Sequence, residues 1–471
     1  MWLVEESQVL QRKASAVRVC HGLSAVFDDP NLVSCGGLVP VVRLAERAGL
    51  HRLVGEHLHV EAEGGANAGV KVASVVAGMV AGADSIDDMD LLRHGGMHRV
   101  FDGVRAPSTL GTFLRAFTFG HVRQLDAVAC RLLANLARHT PLLPGADQIA
   151  YLDVDDTVRE IHGYAKQGAG YGYTGVRGLN ALIATISTPL AAPVIAATRL
   201  RKGSVNSARG AERLIADAIV AARGAGATGL LVTRLDSAFY NQRVIRACQR
   251  HGIAFSVTAR LNPGVLAAIA SIHERAWTPI RYPHAVWDED EQRWISEAEV
   301  AEVSYTAFGS RRTADQVTAR LIVRRVRRLN PDTAQGELFG AYRYHPVFTD
   351  SPLPTLDAEA AHRGHAVIEQ VIADLKGSAL AHLPSGRFGA NGAWLALAAI
   401  AFNLTRAAGT LASTFHARAT TATIRAHLVG VPARIARPAR RPVLHLPRDW
   451  PWQHAWQQLF DRAVHDPPPA A

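Results

Sequence analysis

Cysteine is scarce in this chain of 471 residues, and the few cysteines lie far apart. None belongs to a Cys-x-x-Cys pair; they are Cys20, Cys35, Cys130 and Cys248. Their spacing argues against a disulfide framework and against a cysteine-based zinc site. We therefore expect a fold that depends on its hydrophobic core, in a reducing compartment.

Long hydrophobic runs and a cationic leader are also missing. Residues 1–13 place no positive charge before an apolar run, and the longest apolar stretches, 72–83 and 393–402, are shorter than the roughly 20 residues that span a bilayer. This pattern predicts a soluble, cytoplasmic protein with no membrane partner. A hydrophobic fraction of 48% predicts a large core, and the length fits several domains.

Acidic residues are outnumbered by basic ones, which gives a net charge of +10. Residues 403–448 contain eight arginines and no acid, and residues 311–328 contain seven arginines and one acid, Asp315. Such clusters suit a polyanion, because each phosphate that is neutralised releases condensed counterions. The alternative is a solvated surface in a chain that is rich in arginine and alanine.

Hydrophobic periodicity predicts helices first and then an alternation of strands and helices. The predicted helices span 41–57, 70–83, 110–119, 121–139, 207–224, 241–251, 362–376 and 391–408. The predicted strands span 149–155, 179–187, 194–200, 229–236 and 254–260. A β-rich insertion is predicted over 262–350. The fold class is therefore α/β, with a mixed sheet flanked by helices.

Acidic residues at two strand ends and on one helix are the candidate catalytic groups. Asp153 and Asp155 alternate onto one face of the first strand, and Asp236 ends a later strand. Glu369 lies on a helix, four residues after His365 and seven before Lys376, so the three side chains share one helical face. Ligands of open α/β sheets bind at the carboxyl ends of the strands.

This combination predicts a site for divalent metal ions. Carboxylate oxygens are the ligands that Mg²⁺ prefers, and Mn²⁺ would substitute for it. A pair of ions would activate an attacking water and stabilise a leaving oxygen. Each residue also has a plainer interpretation: Asp236 could cap the following helix, and Glu369 alone could be a solvated surface residue.

Several segments of the sequence resemble a known family. They are YLDVDDT, HGYAKQGAGYGYTGVRGLNALIATIST, LRKGSVNSA, RLDSAFY, FSVTAR and HAVIEQVIADLK. Over nearly its whole length the chain resembles a DDE transposase of a bacterial insertion sequence, in the superfamily with a Tyr-x2-Arg-x3-Glu-x6-Lys signature. More narrowly, it is similar to the insertion-sequence 1380 family.

The resemblance implies a ribonuclease H-like sheet with an N-terminal helical domain and a β-rich insertion. Together with the predicted elements, it divides the chain into a helical DNA-binding region (1–145), a first core part (146–261), the β-rich insertion (262–350), a second core part with the glutamate helix (351–410) and a basic tail (411–471). It also implies Mg²⁺ as the cofactor.

The resemblance assigns roles to individual residues. Asp155 matches the first catalytic aspartate and metal ligand, with Asp153 as its rival, and Asp236 and Glu369 match the other two acids. The signature lysine is Lys376. The chain departs from the signature at His362, which replaces tyrosine, and at His365, which replaces arginine.

These helix residues are implied to contact DNA phosphates. They are His362, Arg363, His365 and Lys376. Because histidine is only partly charged near neutral pH, we expect the two departures to weaken the grip on DNA.

The implied activity is DNA transposition. The enzyme would nick a phosphodiester at each end of the element, and the freed 3′-hydroxyl would then attack target DNA. The partners would be double-stranded DNA ends and target DNA, bound by a dimer on the bacterial nucleoid. One of three tryptophans would stack on a flipped base (Trp277, Trp287 or Trp294).

Two other functions remain open from the sequence alone. The segment YLDVDDTV also fits the first motif of haloacid-dehalogenase-like phosphatases, in which Asp153 would be the nucleophile. That class also requires a second acid close to the aspartate of a later strand, however, and none follows Asp236 closely. The other alternative is a transposase-derived DNA-binding protein that has lost catalysis.

Overall fold

The computed structural model describes most of the chain. The described residues are 22–61, 64–162, 165–172, 175–280, 286–288, 293–295, 298–327, 342–437 and 441–465. Trp287 and Trp294, two of the three candidates for stacking on a flipped base, lie in two short strands whose side chains are outside this description.

Helices occupy the N-terminal region, the faces of the sheet and the C-terminal region. They are α1 (Leu38–Arg47), α2 (Leu50–His57), α3 (Ala68–Ala81), α4 (Met97–Val100), α5 (Pro107–Arg115), α6 (Phe119–His139), α7 (Ala211–Gly224), α8 (Gln242–Arg250), α9 (Pro263–Ala270), α10 (Thr355–Arg363), α11 (Val367–Lys376), α12 (Phe388–Ala412), α13 (Thr414–Arg418), α14 (Thr421–Ile424) and α15 (Gln453–Val464).

Fifteen strands lie within the described residues. They are β1 (Leu32–Val33), β2 (Ile149–Glu160), β3 (Gly170–Tyr171), β4 (Arg177–Ser187), β5 (Val194–Lys202), β6 (Leu230–Leu235), β7 (Ala254–Thr258), β8 (Thr278–Ile280), β9 (Val286–Asp288), β10 (Arg293–Ile295), β11 (Ala298–Ala307), β12 (Val317–Arg327), β13 (Tyr342–Thr349), β14 (Ala433–Ala436) and β15 (Val443–His445).

The N-terminal helices differ from the prediction at one clear point. The predicted helix 41–57 is two helices, because α1 ends at Arg47 and α2 begins at Leu50. Gly49, between them, has φ +80°, a left-handed conformation that glycine adopts without strain. Apolar side chains of α1, α2 and α3 pack together, so hydrophobic spacing found the buried face but missed the break.

A mixed sheet forms the centre of the molecule, as the sequence predicts. The order β5-β4-β2-β6-β7 places three antiparallel strands first, followed by β6 and β7, which run parallel to β2. Helix α7 connects β5 to β6, and α8 connects β6 to β7. Because β2, β5 and β6 run in the same direction, their carboxyl ends share one edge of the sheet.

The predicted β-rich insertion continues the same sheet. Strand β13 pairs with β7, β12 with β13, β11 with β12, and β8 with β11, all antiparallel. A helix that the sequence did not predict, α9, precedes these strands. The insertion therefore lengthens the core sheet to ten strands within the described residues.

Helix α12 is the buried axis of the fold. It contacts α6, β5 and α3, and Trp394 is fully buried. It is the one described helix that is long and apolar enough to cross a membrane, but 94% of its apolar window is buried inside the protein. Contacts with other elements of the fold thus account for its apolar composition.

The arginine cluster at 311–328 is largely paired within the insertion. Arg320 pairs with Glu302, and Arg324 with Glu359. Arg325 pairs with Glu299 and Glu274 and lies over the Trp277 ring at 4.2 Å. Since three guanidinium groups have internal anionic partners, this cluster offers less charge to a polyanion than the sequence predicts.

Arginines in the C-terminal cluster also bond to the protein itself. Arg406 is buried and donates to the carbonyls of Ala417 and Ala419, and Arg425 donates to the carbonyl of Val80. Arg434 pairs with Asp29. Long guanidinium side chains here satisfy carbonyl oxygens that helix ends leave without partners, which neither interpretation of the sequence anticipated.

Asn403 joins α12 to the sheet through two hydrogen bonds to one residue. Its Oδ1 accepts from the backbone N–H of Ile195 at 2.8 Å, and its Nδ2 donates to the Ile195 carbonyl at 2.8 Å. We expect Asn403→Ala to leave both buried backbone groups unpaired and to lower the free energy of unfolding by about 2–4 kcal/mol, measured by denaturant titration.

Asn135→Ala is the matched control. Asn135 is half-buried and makes one such bond, from its Nδ2 to the Ala48 carbonyl at 2.8 Å. We expect a loss of about 1 kcal/mol for this variant. Equal losses in the two variants would contradict the double-bond role of Asn403.

Candidate active site

The pairing of β2 with β6 brings two candidate acids side by side. The strands are parallel, with Asp153 opposite Arg234 and Val154 opposite Leu235. Continued by one residue, this register sets Asp155 opposite Asp236, where backbones of neighbouring strands lie about 4.8 Å apart. Alternation then directs both carboxyls to the face that carries Asp153 and Arg234.

Asp153 is fully buried in an ion pair. Arg234 donates from Nε to its Oδ1 at 2.7 Å and from Nη2 to its Oδ2 at 2.6 Å. The Nδ1 of His365 lies 3.0 Å from Oδ1, and the guanidinium stacks over the Tyr151 ring at 4.2 Å. With both oxygens engaged, Asp153 is an anchor for Arg234, so its predicted role as an alternative first metal ligand does not fit.

Asp155 has no such guanidinium partner. It is half-buried, and its Oδ1 accepts from the backbone N–H of Asp156 at 2.7 Å. Burial, together with the negative charges of Asp236 and Asp156, raises the pKa of Asp155 to about 6, against the opposing effects of the Asp156 N–H and His365. The carboxyl for which the sequence predicts the first catalytic role is thus poorly stabilised as an anion by the protein alone.

Asp236 shares this environment. Burial raises its pKa above the ordinary value, although its side chain accepts from the N–H of Ala238 at 3.0 Å and the charge of His365 lowers the pKa. The bond to Ala238 caps the short 3-10 turn Ser237–Phe239. The capping interpretation from the sequence is therefore correct, and the same residue also faces Asp155.

Arg234 also fixes the segment that carries Glu369. Its Nη1 donates to the Ala361 carbonyl at 2.7 Å, at the end of α10. A Cβ at Gly364 would lie 2.5 Å from that Nη1, so a side chain there would displace the guanidinium from its present position. The predicted continuous helix 362–376 is broken here into α10, a 3-10 turn (Gly364–Ala366) and α11.

His362 lies in the core rather than at a surface that DNA could reach. Its Nδ1 is 2.9 Å from the Ser256 hydroxyl and its Nε2 is 2.9 Å from the Thr258 hydroxyl, both on β7. Burial, aided by the charges of His365 and Arg234, lowers the pKa of His362 to about 3. A neutral, buried ring with both nitrogens engaged cannot bind phosphate, so the predicted DNA contact is replaced by docking of α10 onto the sheet.

His365 precedes Glu369 in the chain, and Lys376 follows it at the end of α11. The charge of His365 acts on Asp155 and Asp236, and Lys376, eleven residues later, interacts with Asp155 and Arg159. Lys376 lies seven residues after Glu369, so the two side chains share one side of α11. Helix α11 packs along β2, and its Lys376 end lies close to Asp155.

Glu369 itself is exposed and lies in the first turn of α11. No group of three or more His, Cys, Asp or Glu side chains lies close enough to hold a metal ion as they stand, within the part of the chain that the structure describes. The structure therefore brings Asp155 and Asp236 together, whereas the Glu369 carboxylate does not join them.

Lys376 and Arg159 form a cationic flank beside the acids. Lys376 is half-buried, and burial and the charge of Arg159 lower its pKa, while the charge of Asp155 raises it. Arg159 lies on the same face of β2 as Asp155, four residues on. Two cations held together against their repulsion favour an anion between them.

Two further predicted contacts have internal partners. The Nε of Arg363 donates to Glu359 at 2.9 Å, so its approach to DNA would compete with that pair. Trp277 is 9% exposed and covers Arg325, which makes it a packing residue rather than a stacking platform for a base.

Sequence reasoning missed Arg234 and Arg159. Arg234 stands two residues before Asp236, on the same face of β6, and its guanidinium determines which aspartate of β2 stays available. Its spacing from Asp236 was visible in the segment RLDSAFY, but the register that sets it opposite Asp153 was not. Arg159 was hidden because β2 extends to Glu160, five residues beyond the predicted strand.

Comparison with families of known proteins gives a match. Residues 19–466 match the family described as transposase DDE domain group 1, which is nearly the whole chain. No curated protein matches the chain.

The two aspartates of β2 should respond oppositely to the same substitution. Asp153→Asn leaves the buried Arg234 without a counterion, so we expect the free energy of unfolding to fall by about 3–5 kcal/mol. Asp155→Asn removes a carboxylate that is costly to ionise, so at pH 7 without divalent cations we expect a gain of about 1–2 kcal/mol, after allowing for partial exposure.

The pH dependence gives the control for this comparison. Because the pKa of Asp155 is raised in the folded protein, to about 6, the folded state holds the proton more tightly than the unfolded chain. The wild type should therefore lose stability relative to Asp155→Asn as the pH rises from about 4 to about 6. Parallel stability curves for the two proteins would contradict the raised pKa.

Proposed function

Because the chain belongs to the family of transposases with a group 1 DDE domain, we propose that it cuts DNA at the ends of an insertion sequence and joins the freed 3′ ends to target DNA. The observation that carries this proposal is the juxtaposition of Asp155 and Asp236 beneath the helix that bears Glu369. The narrower assignment to the insertion-sequence 1380 family rests on the sequence resemblance.

The donor set fits divalent metal ions. Two half-buried carboxyls with raised pKa values lie side by side, and a bound cation would relieve the cost of ionising them. Asp155, Asp236 and Glu369 would hold Mg²⁺, or Mn²⁺ in its place. When bound, the ions supply activation of a water or 3′-hydroxyl and charge stabilisation at the scissile phosphate.

The protein's own residues would then position the DNA. Lys376 and Arg159 would bind the phosphates next to the scissile bond, because both cations lie near Asp155 beside β2. The bond between His365 and Asp153 would hold the start of α11 in a fixed position relative to Asp155 and Asp236. An in-line displacement needs such fixed alignment, since small displacements of the reacting atoms slow the reaction strongly.

A ribonuclease H-like core is part of this proposal. Three antiparallel strands followed by two parallel strands joined through α8, with the acids on β2, after β6 and on a later helix, support that assignment. Recognition of the terminal inverted repeats by residues 1–145 stays a prediction.

The two alternative functions fare differently. A phosphatase that uses Asp153 as its nucleophile is disfavoured, because both oxygens of that carboxylate bond to Arg234. A DNA-binding protein without catalysis would retain the fold and the cationic flank, so it is separated by the cleavage assay below.

The decisive experiment is Mg²⁺-dependent cleavage of a DNA fragment that carries the ends of the element. We expect wild-type protein to nick this fragment, and Glu369→Gln to reduce the rate by about 100-fold or more, since one charged metal ligand is lost. Product strands are resolved on a denaturing gel.

Glu302→Gln is the matched control, because Glu302 is exposed on β11, outside residues 1–145, and pairs with Arg320 on the neighbouring strand. It should cleave like the wild type. Wild-type cleavage by Glu369→Gln would remove Glu369 from the mechanism, and no cleavage by any protein would favour DNA binding without catalysis.

A dimer that bridges two ends is the proposed active form, because joining requires both ends at one target site. Gel filtration of the complex with end DNA should give two protomers per pair of ends. A complex with one protomer would contradict it.

A further inference from the structure

A groove of about 540 Å³ opens at the carboxyl edge of the sheet, apart from α11. It lies where the loop after β5 meets the starts of α7 and α8. Three arginines from these three elements line it: Arg209, Arg213 and Arg243. All three side chains are exposed.

The polar groups of the groove suit an anion. One acid, Glu212, also lines it, so the described lining keeps an excess of positive charge. Asn206 accepts from the N–H of Ala208, and Asn241 accepts from the N–H of Arg243. With their carbonyl oxygens engaged in this way, the side-chain NH₂ groups of both asparagines are the ends left to donate.

The groove is built onto the strand of the catalytic aspartate. Arg201 donates from Nη1 to the carbonyls of Ser207 and Arg209, at 2.8 Å each, and from Nη2 to Asp156. Ser207 donates to Asp156 at 3.2 Å. Asp156 follows Asp155 directly, so the loop that carries Arg209 is held in place by the neighbour of the first catalytic acid.

The other wall is tied to the second catalytic acid. Asn241, which caps α8, follows Asp236 by five residues, across the 3-10 turn that Asp236 caps. Because β5 and β6 both end at this edge, their following segments converge there. The groove therefore lies on the Asp156 face of the sheet, whereas Lys376 and Arg159 lie on the Asp155 face.

We propose that this groove is a second phosphate site, which holds the DNA backbone beside the scissile phosphodiester on the side opposite Lys376 and Arg159. The inference rests on the proposed function. One guanidinium group can donate two parallel hydrogen bonds to the oxygens of a phosphate. An open groove with arginines from three elements suits a continuous DNA backbone rather than one enclosed anion. The catalytic acids would then lie between two cationic sites, the groove on one side and Lys376 with Arg159 on the other.

The test measures binding of an arbitrary 20-base-pair duplex by fluorescence anisotropy at several salt concentrations. The variant is Arg209→Ala/Arg213→Ala/Arg243→Ala. If each arginine neutralises a phosphate, we expect the slope of log affinity against log salt to shrink by about 2–3, and affinity near 0.1 M salt to fall about tenfold or more.

The matched control removes the same charge elsewhere. Arg250→Ala/Arg275→Ala/Arg343→Ala changes three exposed arginines that lie outside residues 1–145: one at the far end of α8, one in the 3-10 turn Glu274–Ala276 and one on β13. It should keep the wild-type slope. The variant Arg209→Lys/Arg213→Lys/Arg243→Lys should keep most of the wild-type slope, since counterion release depends on charge. It therefore separates loss of binding from misfolding.

The outcomes separate this site from the proposed function. Equal slopes for the two alanine triples, with wild-type cleavage intact, would overturn the groove and leave the transposase assignment standing. A wild-type protein that neither binds nor cuts DNA would overturn both. A reduced slope in the groove variant alone supports the second phosphate site.

Discussion

The ion pair between Asp153 and Arg234 is the contact on which the site depends. It joins β2 to β6, and through the Ala361 carbonyl and His365 it joins both strands to α10 and α11. A buried ion pair recovers its desolvation cost only when its geometry is good and its remaining hydrogen-bonding groups are satisfied. Here two parallel bonds, a backbone carbonyl and the Tyr151 ring satisfy the guanidinium. The pair is therefore best understood as a device that fixes position.

The same pair explains why two aspartates on one strand face have different chemistry. Asp153 and Asp155 are two residues apart, yet only Asp153 has a guanidinium against it. Asp155 has a neighbouring aspartate instead, and the charges of His365 and Lys376 offset its negative charge only in part, since its pKa stays raised. One face of β2 thus carries both a buried anchor, Asp153, and a carboxyl without a guanidinium partner, Asp155.

Much of this fold follows from local patterns in the sequence. Alternation placed Asp153 and Asp155 on one face, and hydrophobic spacing found the strands of the central sheet. The rest depends on long-range pairing. That Arg234 faces Asp153 follows from strand register, which a single sequence does not reveal, and the burial of His362 follows from where α10 docks on β7. The arginine clusters misled for a related reason, because composition cannot tell a guanidinium that meets a carbonyl, as in Arg406, from one that meets solvent.

Arginine therefore has two separate uses in this protein, and their separation follows the strand directions. Where strands pair or helices end inside the fold, guanidinium groups such as Arg234 and Arg201 satisfy carboxylates and carbonyls. At the carboxyl edge, where β5 and β6 stop and α7 and α8 begin, arginines remain exposed at the groove. Loops that follow several strands meet at this edge, and no other element of the described chain covers the arginines of the groove there. These cations are therefore accessible to a ligand as long as DNA. The acids lie inside that edge and the cations outside it, an arrangement that suits the proposed cutting of DNA.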